Sequence, residues 1–150
     1  AVVSTVITVS ATTTAGMAGT YSLTVTDANG CQRQGTTVVT VNTLPSAVGT
    51  STAVCSGSLV PAMNFTTTPA TGVTVTWTNS NTGTGLAASG AGNITGYTAP
   101  VVAAQEVGVI SVIATNTGTG CVSVSAPAAT YTINPLPVVT QTATINNPTS

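Results

Sequence analysis

Only three side chains of this 150-residue chain carry a formal charge, and these are Asp27, Arg33 and Glu106. Histidine and lysine are absent, so a serine or cysteine nucleophile would lack its usual base. The two carboxylates could hydrolyse a glycosidic bond only if they lay within about 10 Å of each other. The pattern places Asp27 in a turn and Glu106 beside a strand, at different points of a repeat. We therefore predict that the chain is not an enzyme and has no catalytic residue.

Metal ligands are also sparse. Asp27 and Asn29 could offer oxygen atoms to Ca²⁺, which takes about six to eight oxygen ligands. Residues 27–30 have the sequence of a tight turn, which favours a hydrogen bond from the backbone to the Asp27 side chain instead. Zinc would need a cluster of Cys and His ligands, and no such spacing occurs. The sequence predicts neither a metal nor a cofactor.

The three cysteines, Cys31, Cys55 and Cys121, allow one disulfide and leave one thiol over. All three pairings are open, and so is a fully reduced chain with small buried thiols. We favour a Cys55–Cys121 disulfide because both residues fall inside one complete repeat. Cys31 is then unpaired, or it pairs with a cysteine of another repeat. A disulfide would indicate an oxidising, extracellular setting.

The near absence of charge restricts the partners. A single cation provides no basic patch, so binding to nucleic acid or to an anionic membrane surface is not expected. No apolar run is long and uninterrupted enough for a transmembrane helix, so we expect no membrane insertion. A net charge of −1 gives little repulsion between copies, and we expect the chain to associate with copies of itself.

A two-part marker occurs twice in the chain. Each copy has a Gly-Cys pair followed, after a β-rich run, by a Leu-Pro pair. The copies lie at Gly30, Cys31, Leu44 and Pro45, and at Gly120, Cys121, Leu136 and Pro137. Proline ends a strand, so we interpret the Leu-Pro pairs as linkers between repeats. The marker predicts the second half of a repeat at 1–45, a complete repeat at 46–137 and the first strand of a third repeat at 138–150.

Period-two alternation of apolar and polar residues marks the strongest strands, at residues 20–26, 73–78 and 107–115. Returning strands are predicted at 36–42 and 126–134, two short strands at 47–54 and 58–67, and opening strands at 1–10 and 138–145. Valine, isoleucine and threonine favour strands, and no window has a helical period. The sequence therefore predicts an all-β, antiparallel sandwich. Trp77 falls on an inward face and is predicted to be a core anchor.

The chain begins in the middle of a repeat, so we expect its first domain to be incomplete. Residues 1–43 correspond to residues 88–134, which form the second half of a domain. A half-sandwich exposes its apolar face and its strand edges. Its complement must come from a longer chain or from a neighbouring copy, and strand addition between copies would build a polymer.

Residues 27–31, residues 54–57 and the two Leu-Pro linkers resemble the PKD-like, immunoglobulin-like tandem repeats of very long cell-surface proteins of Bacteroidota. The resemblance implies an Ig-like sandwich, secretion to the cell surface and a role in a filament or adhesin stalk, with no catalytic residues. The position matching Cys55 in the next repeat falls near Asn146 or Asn147, so not every repeat can carry a disulfide.

We therefore expect a non-catalytic structural repeat of an extracellular filament or adhesin stalk. The alternative is a binding module for surface glycans or ice, or an accessory domain of an enzyme. Thr74, Thr76 and Thr78 share one strand face, although threonine is also the ordinary solvent-side residue of a strand. Tyr97 and Tyr131 are the candidates for exposed aromatic platforms.

Overall fold

The computed structural model describes residues 15–141, and its all-β fold confirms the predicted class. The chain divides into unit 1, Ala1–Leu44, and unit 2, Pro45–Ser150. The strand predicted for residues 1–10 lies outside the described residues, as does half of the strand predicted for 138–145. The described half, residues 138–141, forms no strand. Between residues 15 and 141 we find no helix with the length and apolar character that crossing a membrane requires.

Unit 1 is a β-hairpin that follows a 3₁₀ turn at Ala15–Met17. Strands β1 (Gly19–Thr26) and β2 (Gln32–Val39) pair antiparallel over their whole length. The returning strand begins four residues earlier than the predicted residue 36, because pairing continues down to the turn. Gly30 at that turn has a φ of +83°, a left-handed conformation that favours glycine.

Between residues 45 and 141, unit 2 contains nine strands in two layers. They are β3 (Ser46–Val48), β4 (Thr52–Cys55), β5 (Leu59–Val60), β6 (Thr66–Thr68), β7 (Val73–Asn79), β8 (Ser89–Ala91), β9 (Tyr97–Thr98), β10 (Glu106–Asn116) and β11 (Ala126–Asn134). One layer is a five-stranded sheet in the order β4-β11-β10-β7-β8. The other consists of the short pairs β3–β6 and β5–β9. All pairs are antiparallel except β4 with β11, which is parallel.

The core of unit 2 lies between these layers. Period-two alternation sends Val75 and Trp77 of β7 and Ile110 of β10 to the inside, each less than 10% exposed. The opposite layer contributes Val60 and Ile94. The structure thus places Trp77 in the core, where its indole covers Gly90.

The first 25 residues of unit 2 form shorter strands than predicted. Two strands were expected at 47–54 and 58–67, and four short ones are observed. Pro61 follows β5 directly and has no N–H to continue a ladder. Gly49, after β3, packs against Met63 and Ala129 and donates its N–H to Ala128 O at 3.2 Å. The edge strand therefore changes layers between β3 and β4.

The chain enters and leaves unit 2 at opposite ends. Strand β4 runs parallel to β11, and both finish at the same end, where Cys55 lies beside Asn134. The turn between β10 and β11 lies at the other end, where Asn116 N donates to Cys121 O at 2.9 Å. Residues that precede β4 therefore come from the turn end, and residues that follow β11 leave from the Cys55 end.

Candidate functional site

Each of the two carboxylates accepts hydrogen bonds within its own unit. Asp27 belongs to unit 1, and its Oδ1 accepts hydrogen bonds from the N–H groups of Asn29 and Cys31, both at 2.9 Å. The carboxylate therefore organises its own turn, as the sequence favoured. Glu106 belongs to unit 2, and its Oε2 accepts from Asn81 Nδ2 at 2.7 Å. Among residues 15–141 no group of three or more His, Cys, Asp or Glu side chains is placed to hold a metal ion.

The structure does not bring Cys55 and Cys121 together, so the predicted disulfide between them is wrong. Cys55 ends β4 beside Asn134, whereas Cys121 follows the turn at the far end of β10. The 11 residues of β10 separate these ends by roughly 30 Å at about 3.3 Å per residue. A disulfide needs its Cα atoms within about 7 Å. All three thiols are free, and those of Cys31 and Cys55 are exposed.

Tyr97 and Tyr131 do not form exposed platforms. Tyr131 is 1% exposed, and its ring meets that of Tyr97 edge to face, with centroids 6.3 Å apart. Burial, with a smaller effect of Tyr97, raises the pKa of Tyr131 to about 12. Burial also raises the pKa of Tyr97, whose hydroxyl donates to Thr84 O at 3.1 Å. The Tyr131 hydroxyl and the Trp77 Nε1 are buried without a hydrogen-bond partner in the described part of the chain.

The sequence analysis did not identify a buried polar network that is centred on Asn79. Asn79 is 8% exposed, and its Nδ2 donates to Asn81 O at 2.8 Å and to Leu86 O at 3.2 Å. The hydroxyl of Thr84, fully buried, also donates to Asn81 O at 2.8 Å. The alternation along β7 could have indicated that Asn79 is buried, because Asn79 continues the series of inward residues Val75 and Trp77. The network holds the loop to the sheet.

In the described part of unit 1, residues 15–44, one apolar face of the hairpin packs against no other strand of that unit. Tyr21, Leu23 and Val25 alternate along β1 and share one face of the hairpin. Their side chains are 38%, 42% and 40% exposed. A two-stranded hairpin alone in water is marginally stable at best. We therefore take this face as the candidate interaction surface of unit 1.

The equivalent face in unit 2 is completely covered. The repeat aligns Tyr21, Leu23 and Val25 with the β10 residues Ile110, Val112 and Ala114, which are at most 3% exposed. The turns also match. Asn116 Oδ1 accepts from the N–H groups of Gly118 and Thr119, as Asp27 does in unit 1, and Gly120 has the φ of +72° that matches Gly30. We call residues Tyr21, Leu23 and Val25 the open face.

The outer edge of β2 is the second unpaired element of the hairpin. Within the described residues β2 pairs with β1 alone, whereas β11 in unit 2 pairs with β10 on one side and β4 on the other. An uncovered edge presents N–H and C=O groups that can accept another strand. The β2 residues Arg33, Gly35 and Thr37 lie between the open face on β1 and this edge.

A different, flat surface lies on the outside of the unit 2 sheet. Thr74, Thr76 and Thr78 of β7 all point to solvent. A shallow groove beside them is also lined by Ser111 and Ile113 of β10. The surface carries hydroxyl and methyl groups and no charged side chain.

Comparisons with protein-family models, curated proteins and solved structures return no significant match for this chain.

Proposed function

We propose that the chain is a non-catalytic structural repeat of an extracellular filament or adhesin stalk, in which neighbouring repeats join by strand pairing. Its partners are copies or repeats of the same protein. The proposal requires no cofactor and no metal.

The observation that carries the proposal is the open face. Its three side chains are about 40% exposed, although the aligned residues of unit 2 are the centre of a core. Full burial of an exposed Leu or Val side chain stabilises by about 1.5–3 kcal/mol, so covering the remaining 40% or so of Leu23 and Val25 contributes roughly 0.6–1.2 kcal/mol each. A neighbour that covers the open face would therefore gain several such contributions, and one that also pairs with β2 would gain its hydrogen bonds.

Two further observations support this proposal. The chain has a net charge of −1, so copies approach with little repulsion. The turns and linkers of the chain resemble those of PKD-like, Ig-like surface repeats. This resemblance favours secretion to the cell surface. Contacts built from apolar groups and hydrogen bonds are weakly screened by salt, which suits an assembly outside the cell.

The test compares two charges placed on opposite faces of one strand. Leu23→Glu puts a carboxylate in the open face, and Thr24→Glu puts the same group on the other face of β1. We expect the wild-type chain to form elongated assemblies by light scattering and negative-stain electron microscopy. Leu23→Glu should abolish them, because burying an unpaired carboxylate is costly. Thr24→Glu should assemble like the wild type.

Limited trypsin digestion provides an independent measurement. Arg33 is the only Lys or Arg in the chain, and it lies in β2 opposite Val25. Assembled wild-type protein should resist cleavage, and Leu23→Glu should be cut after Arg33. A wild-type chain that stays monomeric at its highest soluble concentration and is cut rapidly would contradict the proposal.

The threonine surface of β7 supports a second candidate, a surface binding module for glycans or ice. Alternate residues of a strand stand about 6.6 Å apart, so Thr74, Thr76 and Thr78 form a regular row of hydroxyl and methyl groups. A flat uncharged row of this kind could match a repeating ligand surface.

This candidate is tested with a glycan array and an ice-recrystallisation assay. Thr76→Lys would place a charge in the middle of the row and should abolish binding, whereas Thr50→Lys, at an exposed position outside the row, should not. Equal results for the wild type and Thr76→Lys in both assays would rule out a binding role for this surface.

A further inference from the structure

We infer that the outer face of the five-stranded sheet in unit 2 binds the same face of a second copy, so that two copies pair sheet against sheet. The contact centres on Val107, Val109 and Ile113 of β10, which we call the outer stripe. This inference goes beyond the proposed function, because it concerns unit 2 and needs neither the hairpin of unit 1 nor its open face.

The outer stripe departs from the pattern of its own sheet. Alternation along β10 sends Ile110 and Val112 inward and the stripe outward, so this strand is apolar on both sides. The outward residues of the neighbouring strand β7 are threonines, and so are the two residues of β11 that pair with Val107 and Val109. Apolar residues on both sides are typical of a strand that is covered on both faces.

The hairpin fold itself does not require apolar residues at these positions. The repeat aligns Val109 and Ile113 of β10 with Thr20 and Thr24 of β1, which lie on the side of the first hairpin opposite the open face. The two strands hold the same place in equivalent hairpins, and only β10 has valine and isoleucine there. The outer stripe therefore indicates a contact that is specific to unit 2.

The side chains of the outer stripe are accessible to water. Val107, Val109 and Ile113 are 42%, 36% and 37% exposed, whereas the inward residues Ile110 and Val112 are at most 3% exposed. Between residues 45 and 141, the second layer of unit 2 packs on the inner side of the sheet. The outer side is therefore the accessible side of this sheet in the described part of unit 2.

Hydroxyl groups flank the outer stripe on both sides. The Val109 N–H donates to Ser80 Oγ at 2.9 Å on one side, and Thr130 of β11 pairs with Val109 on the other. Ile113 pairs with Thr76 of β7. An apolar centre with a polar rim is the usual arrangement of a protein–protein interface.

The distribution of charge indicates which partner fits this face. Glu106, the only charged side chain of unit 2, has the inward phase of Ile110 and accepts a hydrogen bond from Asn81 Nδ2 at 2.7 Å. The outer face therefore neither attracts a charged partner nor repels an identical face. A second copy brings the same apolar stripe, and its hydroxyls can both donate and accept hydrogen bonds, so the face is self-complementary.

The area of the face is sufficient for a reversible dimer. A sheet five strands wide, at about 4.8 Å per strand, and about six residues long, at about 3.3 Å each, presents roughly 500 Å². Two copies would thus bury about 1,000 Å² in total, which is the lower limit for a specific interface. We expect the facing sheets to lie about 10 Å apart, with their strands within about 30° of each other. Both copies use the same surface, so the contact closes after two copies and joins two chains side by side.

The first experiment uses the full chain with Leu23→Glu, in which the hairpin contact of the proposed function is lost. Light scattering should still show a dimer whose fraction rises with concentration. Adding Val109→Asp should give a monomer, because burying an unpaired carboxylate is costly. Adding Val101→Asp is the matched control, since Val101 is 83% exposed in the loop between β9 and β10, and the dimer should remain.

A milder variant separates loss of the contact from loss of the fold. Val109→Thr inserts the residue that already occupies the outward positions of β7, so the strand should form normally. It removes one apolar methyl group from each copy, and the dissociation constant of the dimer should rise by roughly tenfold. Urea titration with Trp77 fluorescence should show a folded unit 2 in every variant.

The second experiment locates the contact by cross-linking. In the Leu23→Glu chain with its three cysteines replaced by alanine, Ser111→Cys places a thiol on the outer side of β10 between Val109 and Ile113. A bismaleimide that spans about 10 Å should link two copies into a dimer on a denaturing gel, because facing sheets lie about that far apart. Thr71→Cys, at an exposed position in the turn before β7, should give no linked dimer.

The outcomes separate this inference from the proposed function. If the Leu23→Glu chain is monomeric at its highest soluble concentration and the thiol at position 111 gives no link, the inference fails, whether or not the wild type forms filaments. If the wild type forms no filament but a dimer that depends on Val109 persists, the proposed function fails and the inference stands.

Two further results would overturn the inference. A monomer in which the thiol at position 111 resists maleimide would show that another part of the same chain covers the outer face. Binding of glycans or ice by a monomeric chain, lost in Val109→Asp, would assign the face to the second candidate function instead.

Discussion

The two hairpins of this chain share a design and differ in what covers them. Strands β1–β2 and β10–β11 have the same alternation, the same Asx-type turn and a left-handed glycine just before a cysteine. In β10 the inward residues are at most 3% exposed, whereas those of β1 are near 40%. The local sequence therefore specifies the hairpin, and the second layer of strands turns one of its faces into a core.

The largest expected difference comes from trimming one inward residue in each hairpin. Ile110→Ala should lower the free energy of unfolding of unit 2 by about 2–5 kcal/mol, because it leaves a cavity in a closed core. Leu23→Ala should change that value by less than about 0.5 kcal/mol, because Leu23 is already partly in water and belongs to unit 1.

Urea titration followed by fluorescence measures this difference, since Trp77 is the only tryptophan and lies in the core of unit 2. Equal losses in the two variants would mean that the hairpins are covered alike and that the comparison is mistaken.

A smaller effect is expected from the buried hydroxyl of Tyr131. Its oxygen has no hydrogen-bond partner in the described structure, so Tyr131→Phe should raise the free energy of unfolding by about 1–2 kcal/mol. Tyr97→Phe is the matched control, because it removes a hydroxyl that donates to Thr84 O at 3.1 Å. That control should lower the free energy by about 0.5–1.5 kcal/mol. A loss in both variants would mean that an internal water satisfies Tyr131.

Substitutions in the two turns should have smaller effects, and both should destabilise their own unit. Asn116→Ala removes the acceptor of two backbone N–H groups and should cost unit 2 about 0.5–1.5 kcal/mol. Asp27→Ala removes the same type of acceptor in unit 1 and should speed trypsin cleavage after Arg33. Asp27→Asn keeps the acceptor and serves as the conservative control, with wild-type cleavage expected. Cleavage at the wild-type rate in Asp27→Ala would show that the turn forms without its cap.

Within the neutral range, a change of pH should have the smallest effect on the free energy of unfolding of unit 2. The folded-state pKa of Tyr131 is raised to about 12 from the ordinary value of 10. Its stabilising contribution is therefore complete below pH 10 and is lost as the pH rises from 10 to 12. The free energy of unfolding of unit 2, measured by urea titration with tryptophan fluorescence, should fall across this window, and that of Tyr131→Phe should fall less. Equal decreases in the two proteins would assign the alkaline effect to another group.

The parts of the fold that follow from local pattern could be predicted from the sequence. Alternation along β1, β7 and β10 gave strands close to those observed, and the inward phase put Trp77 in the core. The parallel pairing of β4 with β11 could not be predicted, because it joins residues about 80 positions apart and depends on how the edge strand changes layers. The same gap explains the wrong disulfide. Spacing placed Cys55 and Cys121 in one repeat, but only the topology tells which end of the sandwich each occupies.

The candidate site was predictable to a similar extent. The repeat phase predicts that residues 1–43 lack a second layer, and this stays a prediction because residues 1–14 lie outside the described residues. Tyr21, Leu23 and Val25, which are described, are near 40% exposed. The tyrosine platforms were mispredicted because a polar hydroxyl suggested exposure, while the inward phase of β11 buried the Tyr131 ring. Asn79 was overlooked for the opposite reason, since its amide is satisfied by its own loop.

The parallel β4–β11 pair also determines how unit 2 would carry tension. The chain enters at one end of these strands and leaves at the other, so a pull on the two termini slides β4 and β11 past each other. The four residue pairs from Thr52 with Tyr131 to Cys55 with Asn134 then bear the load together rather than opening one at a time. A module of this geometry resists stretching along its axis far better than peeling from its edge.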